Sequence, residues 1–585
     1  GAKEYVFPRR ERFPVFFHQE NTSSIYVGGE GRLYYYDFAT RENYTLGVVL
    51  RPRCHSQAPV SPQQEDSRNY LTLVEQYGDG LLVCGTGACA PTCWNVSQRR
   101  ESPPWDGRGI APFTPDSNTL VVVDGQDIYS TIKKSQQNGK IPRFRRVRGG
   151  GELYTSDTVM QNPQFVKATT LRHEEPHQDK IYYFFREDNP DKSPEAPRNI
   201  SRVAQLCKED KGGTSSLSAS KWTTFLKATL ICVDPVTKGN FNWLQDVFFV
   251  PAGDWRRSKV YGLFTNTWIL EAPGAATVTT PPAELSPFPS ALRALTAPFV
   301  ALLSPQCVPS GQHTPSETFK IADSHPEVEE RVEPLSPSRS PLFHNKHRYQ
   351  KIGVHQVAAA DGRRYNVLYL ATDKGSIHKV VELPDGVQNI MEIQVFPNKD
   401  PIQSMILDHA RGTFPLIPLI WESPIPEMPV PGILLVLIPI PIPREGLQSL
   451  SLDSWQGRCQ RGDVKEGTWR CDFRNISVTP SSRYYLNCSI ESHYATYNWY
   501  HEDVLIKSCN SSHPQRDCFH FIPSVRREHY GHYVCVSEED GFRQALVKER
   551  LLDRQRSQSQ HGRAPAWAAS WLQLLLVLAL AELFH

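Results

Sequence analysis

Arg461-Gly462-Asp463 sets a guanidinium and a carboxylate two residues apart, between Cys459 and Cys471. Such a carboxylate can complete a metal site on a receptor while the guanidinium docks opposite, the chemistry of an integrin-type ligand. Were Cys459 and Cys471 paired, the loop would be constrained and the tripeptide would lose less freedom on binding. Arg143-Phe144-Arg145-Arg146 fits a dibasic convertase site and also reads as a basic strand or loop. His378 and Lys379 beside Asp373 hint at an active site, but no nucleophile or metal-ligand spacing accompanies them, so a solvated strand end is the better reading. There is no Gly-rich phosphate loop and no helical His-Glu-x-x-His. An enzyme is therefore not expected, and neither is a cofactor.

The thirteen cysteines carry the next message. Cys84, Cys89 and Cys93 form one local group; Cys488, Cys509, Cys518 and Cys535 form another. Zinc sites of the common kinds use paired C-x2-C spacings, and none occurs in the sequence. Disulfides are favoured, which places the chain in an oxidising compartment. The odd count leaves at least one thiol free or intermolecular. Seven N-x-[ST] sequons agree with that compartment, at Asn21, Asn43, Asn95, Asn199, Asn475, Asn487 and Asn510. Asn487 adjoins Cys488 in a segment read as a core strand, which counts against it as a glycan acceptor; the other six are expected acceptors.

Charge is balanced, with 64 Lys+Arg against 62 Asp+Glu, so no global field points to nucleic acid as a partner. At 585 residues several domains are expected. Gly1 to Tyr5 contain no apolar h-region, so a signal peptide is expected to have been removed or to lie upstream. Trp567 to Phe584 are mostly apolar, interrupted by Gln573 and Glu582. A membrane span needs about 20 apolar residues, and no basic tail follows. The small triplet Ala568-Ala569-Ser570 and the polar stretch before it suit a glycosylphosphatidylinositol signal. Ala568 is the expected attachment residue, with Gly562 or Ser559 as alternatives and a transmembrane helix as the rival reading.

The elements that must position these groups are strands. Residues 1–410 alternate short runs rich in Val, Ile, Tyr and Phe with Gly- and Asp-bearing turns, as in Arg32-Leu33-Tyr34-Tyr35-Tyr36-Asp37-Phe38 and Lys180-Ile181-Tyr182-Tyr183-Phe184-Phe185. Many such runs with few amphipathic helices predict a large closed all-β architecture, and a β-propeller leaves few sheet edges bare. Farther on, Cys488, Trp499 and Cys535, with Tyr533 two residues before the second cysteine, have the spacing of an immunoglobulin-like sandwich over residues 473–553. Cys509 and Cys518 are expected to close a smaller loop in that domain.

Several segments together resemble the sema domain, the seven-bladed propeller shared by semaphorins and their plexin receptors. They include Asn69-Tyr70, Cys84-Gly85-Thr86-Gly87-Ala88 with Pro91 and Cys93, and Lys140-Ile141-Pro142-Arg143-Phe144. Others are Val203-Ala204-Gln205-Leu206-Cys207, Asp210-Lys211-Gly212-Gly213, Lys221-Trp222-Thr223-Thr224-Phe225, and Leu368 to Val380. The layout resembles the class-7 semaphorins: sema domain (1–410), plexin-type cysteine-rich module (here a remnant, 459–472), immunoglobulin-like domain (473–553), linker (554–567) and lipid-attachment signal (568–585). The resemblance implies disulfides at Cys84, Cys93, Cys207 and Cys307 in the propeller. It also implies a plexin receptor, a β1-type integrin, a homodimer and a membrane-anchored ligand on the outer cell surface acting in axon guidance and immune-cell modulation. Adhesion through integrin without plexin signalling is the alternative.

The departures from the family define further expectations. Ser67 stands where the family has a cysteine, which deprives Cys54 of its partner; Cys89 is an additional thiol, and the partner expected for Cys232 is missing. Residues 269–303 do not read like propeller strands. Residues 411–458 replace the last propeller strands and most of the plexin-type module, and Pro439, Pro441 and Pro443 argue that their apolar run is neither a central strand nor a spanning helix. Whether a propeller built on these stretches closes is left open by the sequence. The family carries its Arg-Gly-Asp just after the cysteine matching Cys207, where this chain reads Lys208-Glu209-Asp210. Only Asp210 survives, which weakens an integrin contact there.

Overall fold

A computed structural model describes residues 3–6, 11, 13–19, 22–48, 68–88, 90–134, 143–149, 151–193, 196–233, 241–252, 258–265, 290–296, 307–309, 313–329, 331–332, 342–345, 347–358, 364–383, 386–396, 399–406, 413–418, 434–439, 460–461, 469–470, 473–490, 495–509, 517–539 and 542–554. Two compact units divide the chain, with the main boundary after residue 440.

Among the described residues, the first unit is a propeller of seven sheets, each of four or five strands. Six follow one another along the chain: Val15–His18 to Asn43–Gly47, Leu71–Tyr77 to Trp105–Asp106, Val121–Asp124 to Leu153–Tyr154, Gln164–Leu171 to Leu226–Leu230, Trp243–Val250 to Phe343–Asn345, and Tyr349–Ala358 to Gly386–Gln394. The fourth shows why these residues make blades. Lys180–Asp188 is buried along nearly its whole length, because each of its two faces meets a neighbouring blade. Ile181, Tyr183 and Phe185 pack with Tyr129, Phe144 and Leu153 of the third blade. Tyr182 and Phe184 pack with Leu244, Val247 and Phe264 of the fifth. Period-two alternation therefore serves two apolar interfaces rather than one core and one wet face.

The seventh sheet answers the question of closure and corrects the reading of the proline-punctuated run. Its order is Lys3–Val6, Leu434–Pro439, Thr413–Pro418, Ile402–Met405. The N-terminal strand pairs antiparallel with Leu434–Pro439, Lys3 opposite Leu437 and Val6 opposite Leu434, so the propeller closes by joining the start of the chain to its last blade. The proline-punctuated run is thus an interior strand. Pro439 sits at its final position, opposite Thr413 at the end of the ladder, and Pro441 and Pro443 lie beyond it in sequence. In the stretch read as unlike a propeller, Ser290–Thr296 forms the third strand of the fifth blade, in register with Lys259–Thr265. Alanine there is a weak strand former, and pairing on both sides overrides that preference.

The second unit contains a five-stranded sheet ordered Arg474–Val478, Phe542–Asp553, Gly531–Glu539, Thr496–His501, Val504–Cys509. Facing it is a pair, Tyr484–Ser489 with Asp517–Ile522. The first strand runs parallel to Phe542–Asp553. Trp499, fully buried, packs in a core with Cys488, Cys535, Leu486 and Ile522.

One half-buried acid works against the propeller. Glu75, on Leu71–Tyr77, has its carboxyl pushed up to about 7 by burial, which the charge of Lys167 only partly offsets. The unfolded chain ionises this group near 4.5, so stability falls as pH rises from there to about 7 and levels off above. Glu75→Gln is expected to be near neutral at pH 4.5 and stabilising by on the order of 2 kcal/mol at pH 8. Thermal unfolding at the two pH values checks this, and equal shifts at both would contradict it.

Candidate functional site

The groups proposed from sequence for receptor binding are placed unevenly. Arg461 ends a two-residue strand, Gln460–Arg461, paired antiparallel with Trp469–Arg470 so that Arg461 lies opposite Trp469. Gly462 and Asp463, with Cys459 and Cys471, lie outside the described residues, as do Cys54, Cys89, Asn21, Asn510 and Ala568.

Asp210 is well defined, and its carboxylate is already engaged. It accepts hydrogen bonds from the backbone N–H of Gly212 (2.8 Å) and Thr223 (2.8 Å). The hydroxyls of Thr223 (2.9 Å) and Thr224 (2.8 Å) also donate to it. Its residue is buried, 6% exposed. Four donors satisfy both oxygens, so this aspartate fastens the Lys208–Thr224 loop, and capturing a receptor metal would require breaking that set. The Asp210 carboxylate itself is therefore taken up within the fold.

The same loop explains the dibasic segment. Phe144 and Arg146 are buried, and the Arg146 guanidinium donates to the carbonyls of Gly151 (2.8 Å), Lys208 (3.1 Å) and Asp210 (2.9 Å). It also lies 5.5 Å from the Trp222 ring centroid. Arg145–Arg148 is a strand of the third blade, so the segment is structural and offers a protease no extended loop.

Disulfides join Cys84 to Cys93, Cys207 to Cys307, Cys488 to Cys535 and Cys509 to Cys518. Cys84 and Cys93 sit opposite each other on adjacent strands of the second blade. Cys307 is pinned again by Gln178, whose amide donates to its carbonyl and accepts from its N–H, both at 2.9 Å. In the second unit the Cys488–Cys535 bridge spans the two sheets. The Tyr533 hydroxyl donates to the His529 carbonyl (2.8 Å), the corner that accompanies this sandwich. The Trp499 indole N–H donates to the Cys518 carbonyl (2.9 Å).

Asn43, Asn95 and Asn475 are exposed and Asn199 is partly exposed. Leu486 and Cys488 turn inward while Asn487 between them is exposed. It stands opposite Phe519, beside the stacked rings of Tyr485 and Phe521, whose centroids are 4.5 Å apart. All three aromatic side chains are among the exposed large hydrophobic groups.

The sixth blade holds a cluster that the sequence did not reveal. His378 and Lys379 are buried rather than solvated. His378 Nδ1 lies 2.8 Å from the Tyr349 hydroxyl, and His378 Nε2 lies 3.9 Å from Glu392 Oε1. The His347 ring meets His378 edge to face, with centroids 4.6 Å apart. Burial pushes the His378 imidazolium down to about 4, so the ring is neutral at pH 7. These three donors come from different parts of the blade, and strand pairing alone brings them together.

No helix among the described residues is long and apolar enough to cross a membrane.

Known proteins supply the family. The sema domain model matches residues 296–409, and the model of the semaphorin-3/4/7A immunoglobulin-like domain matches residues 470–563. Human Semaphorin-7A is 42% identical over an alignment spanning 100% of this chain and 91% of that protein, and mouse Semaphorin-7A is 42% identical over the same shares. Among solved structures, Drosophila Semaphorin 2a superposes with a TM-score of 0.61 at 18% identity, covering 94% of this chain and 97% of that one. A chain of the complex of Drosophila Plexin A with Semaphorin 1b gives 0.55 at 22% identity, covering 74% and 86%. A closed seven-bladed propeller, a disulfide-bridged immunoglobulin-like sandwich and full-length identity to such relatives lead to one assignment: the chain belongs to the semaphorin family, as a class-7 member.

Proposed function

We propose that this chain is a cell-surface ligand whose propeller binds a plexin. Semaphorins are signalling ligands rather than enzymes. The observation that supports the plexin partner is the likeness of the fold to the solved assembly of Drosophila Plexin A with Semaphorin 1b. Paired propellers would each present a face to one receptor, and two-site engagement raises apparent affinity through effective concentration. In this reading residues 568–585 direct attachment of a lipid at Ala568, which holds the ligand on the outer face of the plasma membrane. Asn21, Asn43, Asn95, Asn199, Asn475 and Asn510 carry glycans, and axon growth and immune-cell responses are the processes directed. Residues 459–472 are the remnant of the plexin-type module.

An integrin contact through Arg461, Gly462 and Asp463 is the second reading. The paired strands Gln460–Arg461 and Trp469–Arg470 favour it, because they restrain the chain on either side of the loop. Titration of the dimerised chain against plexin ectodomains, with the tripeptide replaced by three alanines in parallel, separates the two. Saturable plexin binding that changes by less than about twofold in the variant is expected, with adhesion to integrin-coated surfaces lost. A folded, monodisperse chain that binds integrin and no plexin would overturn the main proposal.

A further inference from the structure

We propose that His347, His378 and Glu392 form a binding site for a divalent first-row transition metal, with Zn²⁺ the best match. Among the described residues this is the one group of three His, Cys, Asp or Glu side chains whose ligand atoms converge, all lying within 4.8 Å of one another. Two imidazoles and one carboxylate are the ligand set that zinc accepts with a fourth position left to water, whereas calcium and magnesium select oxygen.

The geometry has the order of a built site. His378 is the fixed member, only 2% exposed along its side chain on the strand Ser376–Leu383. Its Nδ1 meets the Tyr349 hydroxyl at 2.8 Å, and the Tyr349 ring stands edge-on to it at 5.3 Å. That arrangement holds the imidazole plane and turns Nε2 towards Glu392, as an outer hydrogen bond on a metal-bound histidine does. The other two ligands are adjustable. Glu392, on Gly386–Gln394, is 49% exposed along its side chain, and His347 precedes the strand Tyr349–Ala358 and is partly exposed. Bond lengths of about 2.0–2.2 Å to zinc require ligand atoms roughly 3.3 Å apart. The present separations of 3.9 Å and up to 4.8 Å therefore close by side-chain rotation of about an ångström. A bound ion would cross-link two strands of the sixth blade to the segment that enters it.

The test uses the full chain, free of oligohistidine tags, stripped with chelator, and with accessible thiols alkylated so that the odd cysteine cannot compete. Equilibrium dialysis against Zn²⁺ is expected to give one ion per chain and a raised unfolding temperature. Co²⁺ in its place is expected to give the visible bands of a four- or five-coordinate nitrogen–oxygen site. Glu392→Gln and His347→Ala, which alter partly exposed side chains, are expected to weaken Zn²⁺ at least tenfold while circular dichroism stays unchanged. Undiminished binding in both variants would overturn the proposal. So would sulfur-to-cobalt charge-transfer bands in the near ultraviolet, or no bound ion in the folded chain.

Discussion

Glu187→Ala is expected to prevent folding of the propeller, with a loss of about 3–5 kcal/mol. Glu187 and Arg202 are each 1% exposed along their side chains, and their Oε1 and Nε atoms are 2.7 Å apart. The Lys227 ammonium donates to the same oxygen at 2.7 Å, and the Gln161 N–H donates to the other at 2.9 Å. One carboxylate therefore pairs with two buried cations on neighbouring strands of the fourth blade. Arg202 has a further partner in Glu327 at 3.0 Å, but that carboxylate is 46% exposed and more heavily screened. Removing Glu187 strands Arg202 and Lys227 in low dielectric, where an uncompensated charge costs far more than an intact pair contributes. Secreted yield and the unfolding temperature of the purified chain check the expectation. Glu187→Gln, which keeps the shape and loses the charge, should fall between wild type and alanine. Wild-type yield and stability for the alanine variant would refute the network's role.

The double replacement Cys207→Ser, Cys307→Ser is expected to cost a similar amount. The bridge closes a loop of sequence separation 100, and in the chain-entropy account a loop of that size restrains the unfolded state by about 4.7 kcal/mol. Measured losses for native bridges run lower, about 2–5 kcal/mol. The loop includes the fifth blade's first three strands, so its loosening should be local at first. Limited proteolysis is expected to cut between Cys207 and Cys307 well before the rest of the chain. A proteolysis pattern and unfolding profile matching wild type would contradict this. The corresponding test in the second unit, Cys509 with Cys518, closes a separation of only 9 and should have a smaller effect through the same mechanism.

What could be read from the sequence follows from how local the determining physics is. Lys180–Asp188 declares itself because a run of aromatic and β-branched residues has no other stable use than a strand buried on both faces. The Cys488, Trp499, Cys535 and Tyr533 spacing declares the sandwich because disulfide, indole and corner sit at set strand positions. The seventh blade was illegible for the opposite reason. Leu434–Pro439 is a strand because Lys3–Val6 and Thr413–Pro418 flank it, and no local pattern records a partner hundreds of residues away. Proline density then argued the wrong way.

The candidate sites divide along the same line. Asp210 kept the identity of a family binding residue, yet its four donors come from a turn whose closure only the fold displays. The exposure of Asn487 was obscured by its adjacency to Cys488. On a strand, neighbours in sequence point to opposite faces, so an inward cysteine implies an outward asparagine. His347, His378 and Glu392 have no short spacing at all, and the blade's pairing alone assembles them.

Hydrogen–deuterium exchange of the dimerised chain with and without a plexin ectodomain tests the proposal that the propeller of this semaphorin is the surface that meets a plexin. Slowed exchange in peptides within residues 1–440, with those of residues 474–553 unchanged, is the predicted result. Slowing confined to residues 474–553, or none anywhere at saturating plexin, would contradict it.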